Sequence, residues 1–401
     1  MKIWISRFGK VINSIRTDGF LNASLKVKEA LGIFNKRVDS GDVLFVTGGV
    51  GRSAVYRCHN QAEELNNNNI KASVAVQDNK KLLDFADSFL IFIFHRTLRT
   101  KELQRFIARI KESQKTILFE TDDLNYDPEY LHKTEYYNSI NKLEKQQIKK
   151  GIAAEILNDD YVKTCVTSTT FLSKKLEEYD KNVFVSRNKL SKMDIKNIKK
   201  VLKGKEVGDG LVRMGYFSGS PSHNKDFATI EDVLVDILRK YPQTHLVIVG
   251  PLELDDKFSE FESQIERLKF VPMKELFKVI AKIDINLAPL LDDEFSRSKS
   301  EIKFLEAGIL RVPTVAFANQ TFKEIIEDGK NGMLAKNKRE WTNRLRRLIE
   351  DKKLRVKIGN EAQISVLKQG MTESRNGNKK YYDFLRNEIK SSGSDKQKYK
   401  E

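Results

Sequence analysis

The sequence predicts an α/β protein of two successive units, each a parallel sheet covered by helices on both faces. Short, continuous apolar runs, such as Val43-Leu-Phe-Val-Thr47 and Phe89-Leu-Ile-Phe-Ile-Phe94, alternate with stretches of helical spacing. Strands that are apolar throughout are buried on both faces, the habit of parallel sheets crossed by helices. The alternation pauses in a lysine-rich stretch at 189–207, read as a linker, and then restarts. A chain of 401 residues also exceeds what one core usually covers. The expected units are 41–205 and 206–375. A basic leader, 1–40, precedes them, and a C-terminal helix with a charged tail, 376–401, follows.

Each element has a local reason. In the leader, Ile3, Ile5, Phe8 and Val11 alternate with Lys2, Arg7 and Lys10, and 21–34 has helical spacing. Such a segment either lies on an anionic membrane surface or packs on its own chain. Strands are expected at 43–47, 70–76, 89–94, 116–120, 162–167 and 182–186 in the first unit. Helices are expected at 54–65, 100–113 and 171–179, with a polar helical region at 135–157. The second unit carries strands at 211–217, 245–249, 285–290 and 314–317, with helices at 226–240, 273–283, 301–310 and from 341 onward. The helix at 226–240 places Phe227, Ile230, Val233, Leu234, Ile237 and Leu238 on one face. Beyond 391 the charged tail reads as disordered.

Composition narrows the function. The formal charge of +16 favours phosphate-bearing partners. No RNP-like, KH, zinc-finger or homeodomain pattern turns that charge into nucleic-acid recognition, so nucleic acid is not expected as a partner. Two cysteines, Cys58 and Cys165, give neither a disulfide framework nor a cysteine zinc site and read as buried thiols. Five scattered histidines without H-x-x-x-H spacing indicate no metal site. No apolar run approaches the roughly 20 residues needed to span a bilayer, and no secretory signal is apparent. The expected location is cytoplasmic, with peripheral attachment to the inner face of the membrane if the leader binds lipid.

Ligands of open α/β sheets bind beyond the carboxyl ends of strands, and polar clusters fall there. Gly48-Gly49-Val50-Gly51 follows the first strand. Its glycines permit positive φ and close approach to a ligand, although it is not a full G-x-G-x-x-G and no acid is placed for NAD. The loop serves an acceptor or a phosphate, or is a tight turn. Ser218, Gly219, Ser220 and Lys225 lie between a strand and the amphipathic helix, suiting a diphosphate or a helix cap. Lys299 and Ser300 precede the helix that carries Glu306. A buried carboxylate there needs hydrogen-bond donors, from ribose hydroxyls or from pairing with Lys303. His95 and Arg96 end one buried strand, and Asp122 and Asp123 end another. The expectation is that both pairs face the cleft between the units, the alternative for the aspartates being a cap or a salt bridge with Arg96.

Residues 213–334 resemble the C-terminal domain of the retaining, group 1 (family 4) glycosyltransferases. The match runs through the Gly219-to-Lys225 loop, Gly250-Pro251, the Glu306-Ala307-Gly308 helix, Val312-Pro-Thr-Val-Ala316 and Ile326-Glu-Asp-Gly-Lys-Asn-Gly332. The first half resembles the family's acceptor domain more loosely. The resemblance implies the GT-B fold, two Rossmann-like domains facing a cleft. It implies transfer of a sugar from a nucleotide-diphosphate sugar to a glycan, lipid-linked or protein acceptor, with no metal or other cofactor. It places Gly49, Gly51, Ser218, Gly219, Ser220, Lys225, Gly250, Val271, Ser298, Lys299, Ser300, Glu301 and Glu306 in the donor site. His95, Arg96, Asp122 and Asp123 are the catalytic candidates. Glu306 matches the second glutamate of the E-x7-E motif, expected on the ribose. The first glutamate is Ser298 here, and the family's phosphate-binding arginine is Ser220. Lys299 is expected to supply the missing charge. These departures keep a catalytically silent partner subunit as the alternative.

Overall fold

The computed structural model describes residues 38–134, 137–138, 140–204, 209–219, 224–268, 271–374 and 378–398. The amphipathic part of the leader, Ser220 and residues 205–208 lie outside these.

Two six-stranded, wholly parallel sheets form the architecture. The first comprises β1 (Val43–Thr47), β2 (Ala72–Val76), β3 (Ile91–His95), β4 (Thr116–Thr121), β5 (Thr164–Thr167) and β6 (Asn182–Val185), ordered β2-β1-β3-β4-β5-β6. The second comprises β7 (Val212–Phe217), β8 (Thr244–Val249), β9 (Ile265–Leu268), β10 (Ile285–Ala288), β11 (Thr314–Phe317) and β12 (Met333–Ala335), ordered β12-β11-β10-β7-β8-β9. Two of the strands, β9 and β12, were not expected. Strand order reverses between β1 and β3 in one sheet and between β7 and β10 in the other. In open α/β sheets these reversals open a crevice for a ligand.

The strands beside the reversals are buried on both faces, so β1 and β3 are entirely buried. Helix Lys101–Glu112 buries Leu103, Phe106 and Ile110. Phe106 meets Phe92 and Phe94 edge-on, with centroids 5.5 and 6.2 Å apart, a favourable aromatic geometry. Thr100 caps this helix, accepting from the Leu103 amide at 3.1 Å. The helix expected at 226–240 is two pieces, Asn224–Ala228 and Glu231–Lys240. Among the described residues, the polar region at 135–157 holds short helices, including Lys142–Gln147 and Ala154–Leu157.

Two expectations about connections are corrected. The stretch read as a linker contains helix Lys192–Lys203, started by a capping box of Ser191 and Asp194. Its Ile198 is buried in the second unit's core with Leu276, Phe277 and Ile280. The lysines that suggested a linker are its solvated face. The tail expected to be disordered beyond 391 is helical to residue 398 in helix Lys379–Lys398. That helix returns to the first sheet, where Tyr381, Tyr382 and Leu385 pack with Val43, Phe45, Ile91 and Leu118. The chain therefore crosses between the units twice, and the crossings touch. The Leu190 amide donates to the Gly370 carbonyl at 2.8 Å and the Thr372 amide to the Leu190 carbonyl at 3.1 Å. Among the described residues no helix is long and apolar enough to cross a membrane.

Candidate active site at the seam between the sheets

The loops at the two strand-order reversals meet. After β1 the chain turns through Gly48 to Gly51 into a helical rod made of Arg52–Ala54, a π-turn at Val55–His59 and Asn60–Asn67. Gly48 is the position that demands glycine. Its amide donates to the His95 carbonyl at 2.9 Å, and a Cβ would fall 2.0 Å from the Arg96 carbonyl oxygen. Gly49 and Gly51 are not in the left-handed region, and an added Cβ at either meets nothing within 4 Å. They leave open space in front of the loop rather than making its turn. Gly48→Ala is therefore expected to cost about 1–3 kcal/mol of stability through overpacking against backbone. Gly49→Ala should stay within about 0.5 kcal/mol. Thermal unfolding of both variants checks this, and equal melting temperatures would refute it.

The first unit's polar residues form a buried chain. Arg57, fully buried, donates from Nε to Glu120 Oε1 at 2.6 Å and from Nη1 to the Ser186 carbonyl at 2.6 Å and Asn188 Oδ1 at 3.1 Å. Glu120 also meets His95 Nδ1. His95 Nε2 lies 2.9 Å from Ser53 Oγ, and Ser53 donates to Asp122 Oδ2 at 2.7 Å. Arg96, at positive φ, donates from Nε to Asp122 Oδ1 at 2.7 Å and pairs with Asp123. Burial opposes the Asp122 charge, but Arg96, His95 and Ser53 outweigh it and hold the carboxyl well below the usual range.

His95 is 1% exposed, enclosed between Glu120 and Ser53 of the seam loop. Of the two readings of the aspartates, the Arg96 salt bridge is present. Asp123 also accepts from the Asn125 amide at 2.9 Å and caps that turn.

In the second unit Gly250 adopts φ +96°, and a Cβ there would sit 1.9 Å from the Ser218 carbonyl oxygen. Ser218 is buried, with Oγ 3.2 Å from the Pro251 carbonyl. Gly219 is exposed with nothing near its absent side chain, and Lys225 is exposed on helix Asn224–Ala228. Val271 is half-buried against the core. Ser298 is fully buried and donates to the Phe295 carbonyl at 2.6 Å. The helix expected from 301 is Ile302–Gly308, with Glu301 as its cap residue. Ser300 accepts from Asn188 Nδ2 at 2.8 Å across the seam. Glu301 is buried, 3.6 Å from Arg187, and among the described residues neither carboxylate oxygen has a hydrogen-bond partner of good geometry. Burial raises its pKa against the opposing pull of Arg187.

Glu306 does not pair with Lys303. Its Oε1 accepts from Tyr56 Oη at 2.7 Å and from Arg52, both supplied by the first unit. Lys303 instead reaches the Phe217 carbonyl and lies over the Tyr216 ring, 4.5 Å from its centroid. Lys299 lies over Phe295 at 4.3 Å. Burial first, then Arg52 and Lys299, push Lys303 down to about 8, against the pull of Asp226. A bound anion favours the ammonium form, so affinity for a diphosphate-bearing ligand should fall as pH rises above about 8. The drop should be roughly tenfold by pH 9.5 in the wild type and absent in Lys303→Met, as read by titration calorimetry from pH 7. A flat wild-type profile would place the lysine away from the anion.

The structure brings Glu306 and the Asp122–Asp123 pair together with Arg52, Ser53, Tyr56, Arg57 and Glu120, five residues that sequence reading did not single out because their spacing is that of an ordinary helix and strand. Among the described residues no group of three or more His, Cys, Asp or Glu gathers as a metal site. Asp292 pairs with Arg297 at 3.0 Å, and Asp293 caps helix Glu294–Arg297.

The stretch around Glu306 carries a family signature. Residues 213–351 match the family model of the group 1 glycosyl transferases. No curated protein matches the sequence. Among solved structures, Anabaena HepE in complex with UDP-glucose is similar at TM-score 0.56 and 15% identity, over 88% of this chain and 100% of that one. A glycosyltransferase from Rickettsia africae reaches TM-score 0.55 at 13% identity, over 86% and 98% of the two chains. Sucrose-phosphate synthase from Thermosynechococcus elongatus reaches 0.54 at 9%, over 89% and 99%. At such identities the likeness establishes the fold, which is GT-B: two Rossmann-like units of parallel sheet.

Proposed function

We propose that the protein is a glycosyltransferase that moves a sugar from a nucleotide-diphosphate sugar to a glycan, glycolipid or glycoprotein acceptor, with retention and without a metal. One observation carries the reading. Glu306, in the segment that matches group 1 glycosyl transferases, sits at the seam where both strand-order reversals meet. A carboxylate there accepts ribose hydroxyls, while Lys299 and Lys303 offer positive charge for the diphosphate. Departure of the diphosphate is the step that such charge assists. Asp122, held ionised, is a hydrogen-bond acceptor suited to orienting an acceptor hydroxyl. Its low proton affinity makes it a poor base, so the departing phosphate is the better proton acceptor.

The complexes of Anabaena HepE with UDP and UDP-glucose put UDP-glucose first in a donor panel. The test is donor hydrolysis and transfer with UDP-, GDP- and ADP-sugars, with and without EDTA. Turnover that survives EDTA supports the proposal. A second reading, a silent partner subunit, is favoured by the inward-tied hydroxyl of Ser298. No turnover with any donor, together with micromolar nucleotide affinity, would replace the enzyme by that subunit. A cytoplasmic location, with peripheral membrane attachment through the leader, belongs to the same proposal. Deleting residues 1–40 should lower binding to anionic vesicles.

A further inference from the structure

We propose that Arg52 is a diphosphate ligand supplied by the first unit, held on Glu306 until a nucleotide arrives and then exchanged onto its phosphates. The inference rests on the glycosyltransferase reading and names a residue and a movement that the reading does not contain.

Four observations converge. The Arg52 side chain is 44% exposed while that of Glu306 is 5% exposed, so the carboxylate belongs to the wall and the guanidinium to the opening. The surrounding charge is unbalanced. Neither Lys299 nor Lys303 ends on a carboxylate among the described residues; each rests on an aromatic face, and Lys303 reaches a backbone carbonyl. With Arg52 this makes three cations against two carboxylates, Glu306 and the Asp226 that attracts Lys303, and the positive excess favours an anionic diphosphate. Arg52 also lies close enough to Lys303 to weaken its ammonium, a repulsion that an anion between them removes.

The third observation is room. Gly49 and Gly51 precede Arg52, and a Cβ added at either meets no atom within 4 Å, so the loop before the guanidinium leaves open space for it to swing. The fourth is that three other arginines described near the seam are already paired. Residues 218–225 of the second unit contain no arginine. Arg96 is committed to Asp122 and Asp123, Arg187 to Glu324, and Arg297 to Asp292. Arg52 binds the one carboxylate that a ribose would need. Its departure frees Glu306 while Tyr56 stays as a donor, since a carboxylate accepts several hydrogen bonds at once. A guanidinium also suits phosphate oxygens better than an ammonium does.

The test is titration calorimetry of the full chain and its Arg52→Ala and Arg52→Lys variants with UDP, UMP and uridine, and with the guanosine series in parallel. Arg52→Ala should weaken UDP or GDP about tenfold to a hundredfold. It should leave the matching nucleoside unchanged or tighter, because Glu306 is released. Arg52→Lys should fall between, and thermal unfolding shows whether each variant is folded. Diphosphate affinity within twofold of wild type in Arg52→Ala overturns the proposal, as does an equal loss for nucleoside and diphosphate. Failure of the wild type to bind any of these probes is a different result, and it removes the glycosyltransferase reading itself.

Discussion

Replacing Glu120 by alanine is expected to cost about 3–5 kcal/mol, the price of leaving a buried charge without its partner. Arg57 is fully buried, and Glu120 is the carboxylate that faces it, at 2.6 Å. Domains of this kind are stable by only about 5–15 kcal/mol, so the variant should show a large fall in its urea midpoint or fail to accumulate. Glu120→Gln keeps the volume and an acceptor oxygen but not the charge, and should lose less than the alanine variant. Urea unfolding followed by circular dichroism measures both. A loss below about 1 kcal/mol for alanine would mean that water reaches Arg57.

The second large effect is on ligand binding. Glu306→Ala should lower nucleotide affinity and transfer by about a hundredfold or more. Hydrogen bonds to a charged group contribute about 1.5–3 kcal/mol each, and a ribose offers two hydroxyls. The alanine variant also strips the buried Tyr56 hydroxyl of its acceptor at 2.7 Å, so some loss would come from the seam. Glu306→Gln separates the two causes, because an amide oxygen still accepts from Tyr56. Both variants should bind uridine or guanosine more weakly than the wild type while staying folded. Wild-type nucleoside affinity in Glu306→Ala would remove the carboxylate from the site.

Sequence reading succeeded where the signal is local. Continuous apolar runs located ten strands, and strand ends located the loops that gather at the seam. The missed strands are both sheet edges. Strand β9, Ile-Glu-Arg-Leu, puts two exposed charged residues at its centre, and β12 is three residues long. The first lacks the apolar run of a central strand, and the second, though apolar and mostly buried, is too short to stand out. The site was legible in one half of each contact. Glu306 stands out as a carboxylate in an apolar helix, but Arg52 and Tyr56 lie about 250 residues away in the chain. Arg57 reads as one more basic residue on a helix, and only the approach of β4 and the crossing at 186–188 shows that it is buried. His95 ends a wholly buried strand, as its sequence position indicates, but such a strand's pattern does not reveal that Glu120 and Ser53 enclose its ring.

The return of helix Lys379–Lys398 has a consequence for how the molecule is made. Phe184 of the first sheet packs on Tyr381 and Phe384, with centroids 5.4 and 5.1 Å apart, and Asn378 Nδ2 donates to the Val185 carbonyl at 2.6 Å. Between Val185 and Lys379 the chain builds the whole second sheet. As the nascent chain leaves the ribosome, the half synthesised first must wait with one flank uncovered until the half synthesised second has emerged. The younger half can close its own core meanwhile, so translation order and completion order run opposite.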